Sequence, residues 1–217
     1  MEGIMRIDCF RSHCIARCSP PAANDYKSYR RFLAEDFKHR CAYCNLHDTR
    51  ITTPFHIDHF IPRKEFEHLR PDLDTDYNNL IYSCPKCNNA KRDKFQGDLS
   101  LPNPTNEMFY DPVNVDYNTI FYRNEIGAID SDDIKGKEMI KALKLYRPIH
   151  ILAWICEKLD KQAEQLQLAI IQEEDVIRKE KLREASVKIN SQYRKYVNLF
   201  TASYNNQMLL ENFVYSD

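Results

Sequence analysis

Four cysteines arranged as two C-x-x-C pairs form the clearest chemical pattern in this 217-residue chain. The pairs are Cys41 with Cys44 and Cys84 with Cys87. Four thiolates at this spacing favour a closed tetrahedral zinc site, which leaves no ligand position open for catalysis. We therefore predict a structural Zn²⁺ that holds two distant segments of a small core together, with four unrelated buried thiols as the alternative.

The segment between these pairs and just after them carries residues suited to hydrolysing a phosphodiester bond. Asp58 offers a hard oxygen ligand to a Mg²⁺-like ion, and His59 can accept a proton from water at neutral pH. Asn88 offers an amide oxygen to the same ion from a helix that the second pair would fix in place. A metal held by two protein ligands keeps positions for phosphate and water, as this hydrolysis requires.

The order of these motifs resembles that of the HNH endonucleases, which have a ββα-metal fold. The resemblance covers about residues 37–97, under a third of the chain. The matching elements, in chain order, are the first C-x-x-C pair, IDHFIP at 57–62, NNL at 78–80 and CPKCNNAK at 84–91.

This resemblance implies a role for each polar residue of the motifs. His59 would be the general base and Asp58 a metal ligand. Asn79 would tie the two strands together and orient His59 through a backbone hydrogen bond. Asn88 stands where the family more often has histidine, and the same variant occurs in some active members, including the HNH domains of RNA-guided DNA-cutting effectors. Because an amide oxygen is a harder ligand than imidazole, the variant favours Mg²⁺ or Mn²⁺.

Other polar residues near these motifs allow two interpretations each. We expect Lys91 either to grip a phosphate or stabilise the leaving group, or to lie on a solvated helix face. His56 shares a strand face with Asp58, and we expect a packing or capping role, with contact to metal or substrate as the alternative. Asn79 could instead serve a turn, and His59 could be a core histidine.

The remaining cysteines carry weaker signals. Cys9, Cys14 and Cys18, with His13, have a spacing that is not typical of zinc sites, so we expect free thiols rather than a second metal site. Cys156 lies on an apolar helical stripe and is expected to be a small core residue.

Composition and charge restrict the function further. Hydrophobic residues make up 43% of the chain, enough for a packed core, while only 4 glycines argue against a Gly-rich phosphate loop. The formal net charge is −1, so we expect a partner that supplies part of the grip on nucleic acid. The sequence has no membrane-length apolar run and no signal-peptide pattern, which predicts a cytoplasmic protein with reduced thiols.

Hydrophobic periodicity places these motifs in an α+β fold. We expect a helix from about Tyr26, strands within 51–61 and at 80–82, a helix from Asn88 to about Gly97, and a strand at 119–122. The predicted segments are an N-terminal arm at 1–24, a zinc-stapled ββα-metal core at 25–98, a wrapping linker at 99–147 and a mostly α-helical extension at 148–217.

Two apolar stripes predict a helical hairpin in that extension. The first runs from Ile149 to Ile170 and the second from Ile189 to Tyr204. We expect them to dock on the core or on each other, with a partner surface or homodimer as the alternative. Basic residues outnumber acidic ones between 178 and 195, which fits either DNA contact or a solvated face. The layout resembles, more weakly, the nuclease subunits of Septu-type and retron-linked anti-phage systems, which pair such a nuclease with an ATPase.

Together these patterns predict a metal-dependent endonuclease, with DNA favoured as substrate, that acts as the nuclease subunit of a bacterial anti-phage complex. Two alternatives remain. An RNase, such as a tRNA-cutting toxin, would use the same residues, because they address the phosphodiester common to DNA and RNA. A zinc-stapled module that binds nucleic acid or protein would keep the scaffold without catalysis.

Overall fold

The computed structural model describes residues 6–214, and the side chains of residues 6–206. Residues 1–5 of the predicted arm and 215–217 of the predicted extension lie outside this range. The chain divides into two compact units between Tyr146 and Arg147, and each is described here by itself. The mixture of helices and small sheets confirms the predicted α+β class.

Short strands in the first unit form two antiparallel sheets, one with three strands and one with two. The strands are β1 (Arg6–Cys9), β2 (His56–His59), β3 (Leu80–Ser83), β4 (Tyr122–Asn124) and β5 (Ile129–Asp130). The three-stranded sheet has the order β1-β4-β5, and β2 pairs with β3 in the other sheet.

Most helices of the first unit are short. They are α1 (Arg30–Asp36), α2 (Arg63–Phe66), α3 (Pro85–Lys91), α4 (Tyr117–Ile120) and α5 (Ile134–Ala142). Single 3-10 turns lie at Tyr26–Tyr29, Asp48–Arg50, Pro71–Asp74 and Tyr77–Asn79.

The centre of the first unit is the predicted ββα arrangement of β2, β3 and α3. All four residues of β3 are buried, and the register pairs His56 with Ser83 and Asp58 with Ile81. Helix α3 follows β3 after one residue, so the second cysteine pair lies at the junction of strand and helix. Strand β2 covers less of the predicted 51–61 stretch than expected.

Helix α3 begins and ends earlier than predicted. Cys84 caps it, because its Sγ accepts a hydrogen bond from the backbone N–H of Cys87 at 3.4 Å, and Pro85 suits the first helical position. The helix ends at Lys91 because Arg92 has a φ of 49°, which is incompatible with a right-handed helix. The predicted extent to Gly97 is therefore wrong.

The N-terminal arm and the 99–147 segment are more ordered than predicted. β1 pairs with β4, so the arm is not irregular throughout. The predicted strand at 119–122 begins later, at Tyr122, because residues 117–120 form α4, capped by the side chain of Asp116. The buried Asn106 attaches this segment to the ββα centre through Nδ2, which donates to the carbonyls of Phe60 at 3.1 Å and Lys94 at 2.8 Å.

The second unit consists of two long helices, α6 (Pro148–Gln172) and α7 (Val176–Val214), that pack on each other. Pro148 occupies the first turn of α6, and the Asp175 carboxylate caps α7 by accepting from the Arg178 N–H at 2.8 Å. Cys156 is buried, as predicted. None of the described helices has the length and apolarity that a membrane span needs.

Candidate metal centre and active site

The four predicted cysteines come together as one buried cluster. Their sulfur atoms lie within 4.8 Å of one another, and Sγ of Cys44 is 3.8 Å from Sγ of Cys84. A tetrahedral Zn²⁺ with Zn–S bonds of about 2.3 Å has sulfur–sulfur edges of about 3.8 Å, so the donor set and spacing fit zinc. Burial opposes ionisation, but hydrogen bonds from the neighbouring thiols hold the pKa of Cys41 well below its usual range.

Backbone hydrogen bonds attach the first cysteine pair to strand β3. The N–H of Ala42 donates to the carbonyl of Tyr82 at 2.9 Å, and the N–H of Cys41 donates to Leu46 at 2.8 Å. From the N-terminal arm, Arg11 donates to the carbonyl of Ala42 at 2.7 Å. The first pair is therefore fixed to the strand that pairs with β2, which carries Asp58 and His59.

Asp58 is buried, with 6% of its surface exposed, and two donors orient its carboxylate. Oδ2 accepts from the Tyr43 hydroxyl at 2.7 Å, and Oδ1 accepts from Nζ of Lys91 at 3.1 Å. Burial raises the pKa of Asp58, and the charge of Lys91 opposes that rise. A carboxylate has about four acceptor positions, so each oxygen keeps a lone pair for a cation.

Lys91 corrects the sequence prediction. Its surface is 0% exposed, and Nζ donates to the Asp58 carboxylate and, at 2.7 Å, to the carbonyl of His59. Lys91 therefore lies neither on a solvated helix face nor where it could grip a phosphate. Its contacts instead hold the strand that carries Asp58 and His59.

His59 has one ring nitrogen engaged and one available. Its Nε2–H donates to the carbonyl of Asp74 at 3.0 Å and lies 3.2 Å from Oδ1 of the same residue. Arg63 holds that carboxylate through Nε at 2.9 Å and through Nη2. Nδ1 makes no hydrogen bond within residues 6–206, so it is the nitrogen that can accept a proton.

The surroundings of His59 keep its imidazole neutral and in place. Tyr26 meets the ring edge-on at a centroid distance of 4.8 Å, and Phe66 packs at 5.5 Å. Burial lowers the pKa of His59, which favours the neutral form that a base requires. The side chain remains 10% exposed, so the ring is not sealed from solvent.

Contrary to the prediction, Asn79 does not orient His59 directly but bonds to residues near His59 and near Asp74. Its Oδ1 accepts from the N–H of Ile61 at 2.8 Å, and its Nδ2 donates to the carbonyls of Ile61 at 3.3 Å and Leu73 at 3.0 Å. Its own carbonyl accepts from the N–H of Phe60 at 2.8 Å. The carbonyl that accepts the hydrogen bond from His59 belongs to Asp74. Asn79 therefore positions the segments on both sides of that contact rather than the ring itself.

Asn88 is half-buried in the middle of α3 and faces His56. Its Nδ2 donates to Nδ1 of His56 at 2.9 Å. An amide nitrogen can only donate, so His56 must accept and carries its proton on Nε2. Burial, followed by the charge of Arg30, lowers the pKa of His56, in keeping with this neutral form. His56 thus fixes the amide of Asn88 and leaves Oδ1 available as a ligand.

Helix α3 crosses the face of β2 that carries His56 and Asp58. Asn88 meets the first of these residues, and Lys91, one helical turn later, meets the second. The carboxylate of Asp58 and the amide oxygen of Asn88 therefore belong to facing surfaces of strand and helix. Two oxygen donors of this kind fit a hard cation such as Mg²⁺ or Mn²⁺.

Three residues of this site were not identified from the sequence in these roles. Tyr43 lies inside the first C-x-x-C pair, and its position there was the available signal. For His56 the sequence favours packing or capping, with contact to metal or substrate as the alternative, and its place on the Asp58 face of the strand is the available signal. Asp74 lies in a polar loop, and no local pattern connects it with His59.

The N-terminal cysteines do not take part in a metal cluster among the described residues. Cys9, Cys14 and Cys18 are exposed free thiols. Burial, together with nearby positive charge, lowers the pKa of His13 to about 4.

Comparison with known proteins agrees with the motifs. Residues 41–94 match the family model described as HNH endonuclease, which confirms the resemblance on the part of the chain that carries both cysteine pairs, Asp58, His59 and Asn88. No curated protein and no solved structure matches the chain.

Proposed function

We propose that this chain, whose residues 41–94 match the HNH endonuclease family, is a metal-dependent endonuclease that hydrolyses phosphodiester bonds. The observation that supports it most is the pairing of an available Nδ1 on His59 with two oxygen donors, Asp58 and Asn88, on the facing strand and helix. A zinc-stapled scaffold alone would need neither the oriented imidazole nor the oriented amide.

In this proposal Asp58 and Asn88 hold Mg²⁺ or Mn²⁺. The bound ion would stabilise the negative charge that grows on the phosphate and on the leaving oxygen. Tyr43 and Lys91 fix the two oxygens of Asp58, and His56 fixes the amide of Asn88. These contacts hold both ligands ready, so little reorganisation is needed for binding.

His59 serves as the general base. Nδ1 takes a proton from water, while Nε2–H stays bonded to the Asp74 carbonyl. The Asp74 carboxylate, itself held by Arg63, lies close enough to stabilise the imidazolium that forms. Tyr26 and Phe66 keep the ring plane fixed during this transfer.

We favour DNA as the substrate and a protein partner that helps to deliver it. The net charge of −1 supports a partner, because nucleic-acid affinity depends mainly on phosphate neutralisation. A role as the nuclease subunit of an anti-phage complex with an ATPase rests on the weaker resemblance in layout alone.

The test is cleavage by the zinc-loaded full chain. Supercoiled plasmid and total RNA are incubated separately with and without Mn²⁺ or Mg²⁺. We expect Mn²⁺-dependent nicking or linearisation of the plasmid, reduced by about 10²-fold or more in His59→Ala. His68→Ala is the matched control, because His68 is exposed and belongs to none of the motifs.

Other outcomes of this assay separate the alternatives. Cleavage of RNA with intact plasmid would favour an RNase that uses the same residues. Cleavage that is equal in His59→Ala and wild type would contradict the assigned base. Nucleic-acid binding without cleavage under any metal condition would favour the zinc-stapled binding module.

A further inference from the structure

Arg30 lies beside the candidate site, and no carboxylate of the described residues forms an ion pair with it. It is the first residue of α1, and its side chain is exposed. Nη1 donates to the carbonyl of Phe55, the residue immediately before β2. Arg30 forms no ion pair with any residue that the structure describes, and its Nε and Nη2 make no hydrogen bond there.

The arginine at the other end of β2 is different. Arg63 lies over the ring of Tyr26, with 5.3 Å from Cζ to the centroid, and holds Asp74 through two of its nitrogens. Its charge is therefore compensated within the protein. The two ends of the strand differ in this respect, since only the charge of Arg30 is left for an external anion.

The contact of Arg30 with Phe55 brings this charge near one residue of the site. The bond to Phe55 places the guanidinium next to His56, whose imidazole receives the amide of Asn88. The influence of Arg30 on the pKa of His56 agrees with this closeness, although burial has the larger effect. Arg30 is thus near a proposed ligand without touching either ligand, which leaves it able to contact a substrate.

We propose that Arg30 binds a backbone phosphate of the nucleic-acid strand, next to the scissile phosphate, at the His56 end of β2. A guanidinium donates two parallel hydrogen bonds to phosphate oxygens, and Nε with Nη2 provides that pair of donors. Such a contact sets the register of the strand without reading a base. This inference rests on the proposed function, because it assigns a substrate contact to the same site.

The experiment measures binding in place of cleavage. Fluorescence anisotropy measures the affinity of the zinc-loaded full chain for a labelled DNA duplex or a labelled single-stranded RNA. The titrations are repeated over a range of salt concentrations with no added divalent ion. Arg30→Gln keeps a donor for the Phe55 carbonyl but removes the charge. We expect several-fold weaker binding and a slope of log affinity against log salt that is smaller by about 0.7–0.9, the effect of one phosphate contact.

Neighbouring variants separate charge from structure. Arg31→Gln is the matched control, because Arg31 is the next residue, is exposed and stacks on Phe32 at 4.6 Å. Arg31→Gln should keep the wild-type salt slope. Arg30→Lys should have a slope close to that of the wild type, because it keeps the charge. Equal slopes in wild type, Arg30→Gln and Arg31→Gln would overturn the proposal, as would the absence of any measurable binding by the wild type. If the slope responds as expected but no nucleic acid is cleaved, the catalytic proposal fails while the phosphate contact stands.

Discussion

The two C-x-x-C pairs form one cysteine cluster that fits zinc, but they position different residues of the candidate site. The first pair encloses Tyr43, which is fully buried and orients the carboxylate of Asp58. The second pair caps α3 and thereby places Asn88, which is half-buried and can face a ligand. The first pair therefore contributes through a buried hydrogen bond and the second by orienting a helix, so one cysteine cluster can position both proposed ligands.

The largest expected effect comes from removing the metal that joins the two pairs. Cys84→Ser should lose zinc and unfold the first unit, because structural zinc contributes about 10–16 kcal/mol in small metal-dependent folds, as much as the whole stability of a typical domain. Zinc content and thermal unfolding measure this. Cys14→Ser, at an exposed free thiol, should leave both unchanged, and an equal effect of the two variants would contradict the assignment.

The next effect concerns the buried ion pair that α3 makes with β2. Lys91→Met should lower the free energy of unfolding by about 3–5 kcal/mol, because it leaves the buried carboxylate of Asp58 without its charged partner. Chemical denaturation with zinc present measures the change. Lys64→Met is the control, since the pair of Lys64 with Asp93 is exposed and contributes little to stability. Similar losses in both variants would show that Lys91 does not hold the site.

The smallest effect separates the contributions of the two pairs. Tyr43→Phe should keep zinc but lower the free energy of unfolding by about 1–3 kcal/mol, because a buried carboxylate oxygen loses its donor. Asn88→Ala should cost less stability, since its side chain is half-buried, yet it should abolish metal-dependent cleavage. If Asn88→Ala were instead the less stable variant with normal cleavage, the comparison between the pairs would be wrong.

The sequence was most informative where spacing alone determines proximity. Cysteines separated by two residues can share one turn, and Asn88 follows Cys87 directly, so the cysteine cluster and the place of Asn88 on α3 could be predicted. Asp58 and His59 are adjacent on a strand, which also fixed their relation. The matched family segment, residues 41–94, is the part of the chain where such local rules apply.

Contacts between segments that are distant in sequence could not be predicted from such local rules. The pairing of β1 with β4 joins residues more than a hundred positions apart, and no periodicity indicates it. The same is true of the Asp74 carbonyl that orients His59 and of the depth at which Lys91 is buried. A lysine near a helix end looks solvated from sequence, because its buried carboxylate partner lies on another element.

The most direct test of the central claim is a Mn²⁺ titration of the zinc-loaded full chain followed by electron paramagnetic resonance. The account predicts one Mn²⁺ bound per chain through oxygen ligands, with binding lost in both Asn88→Ala and Asp58→Asn and retained in His68→Ala. Mn²⁺ binding that is unchanged in the first two variants, or absent from the wild type, would contradict the convergence of Asp58 and Asn88 on one cation.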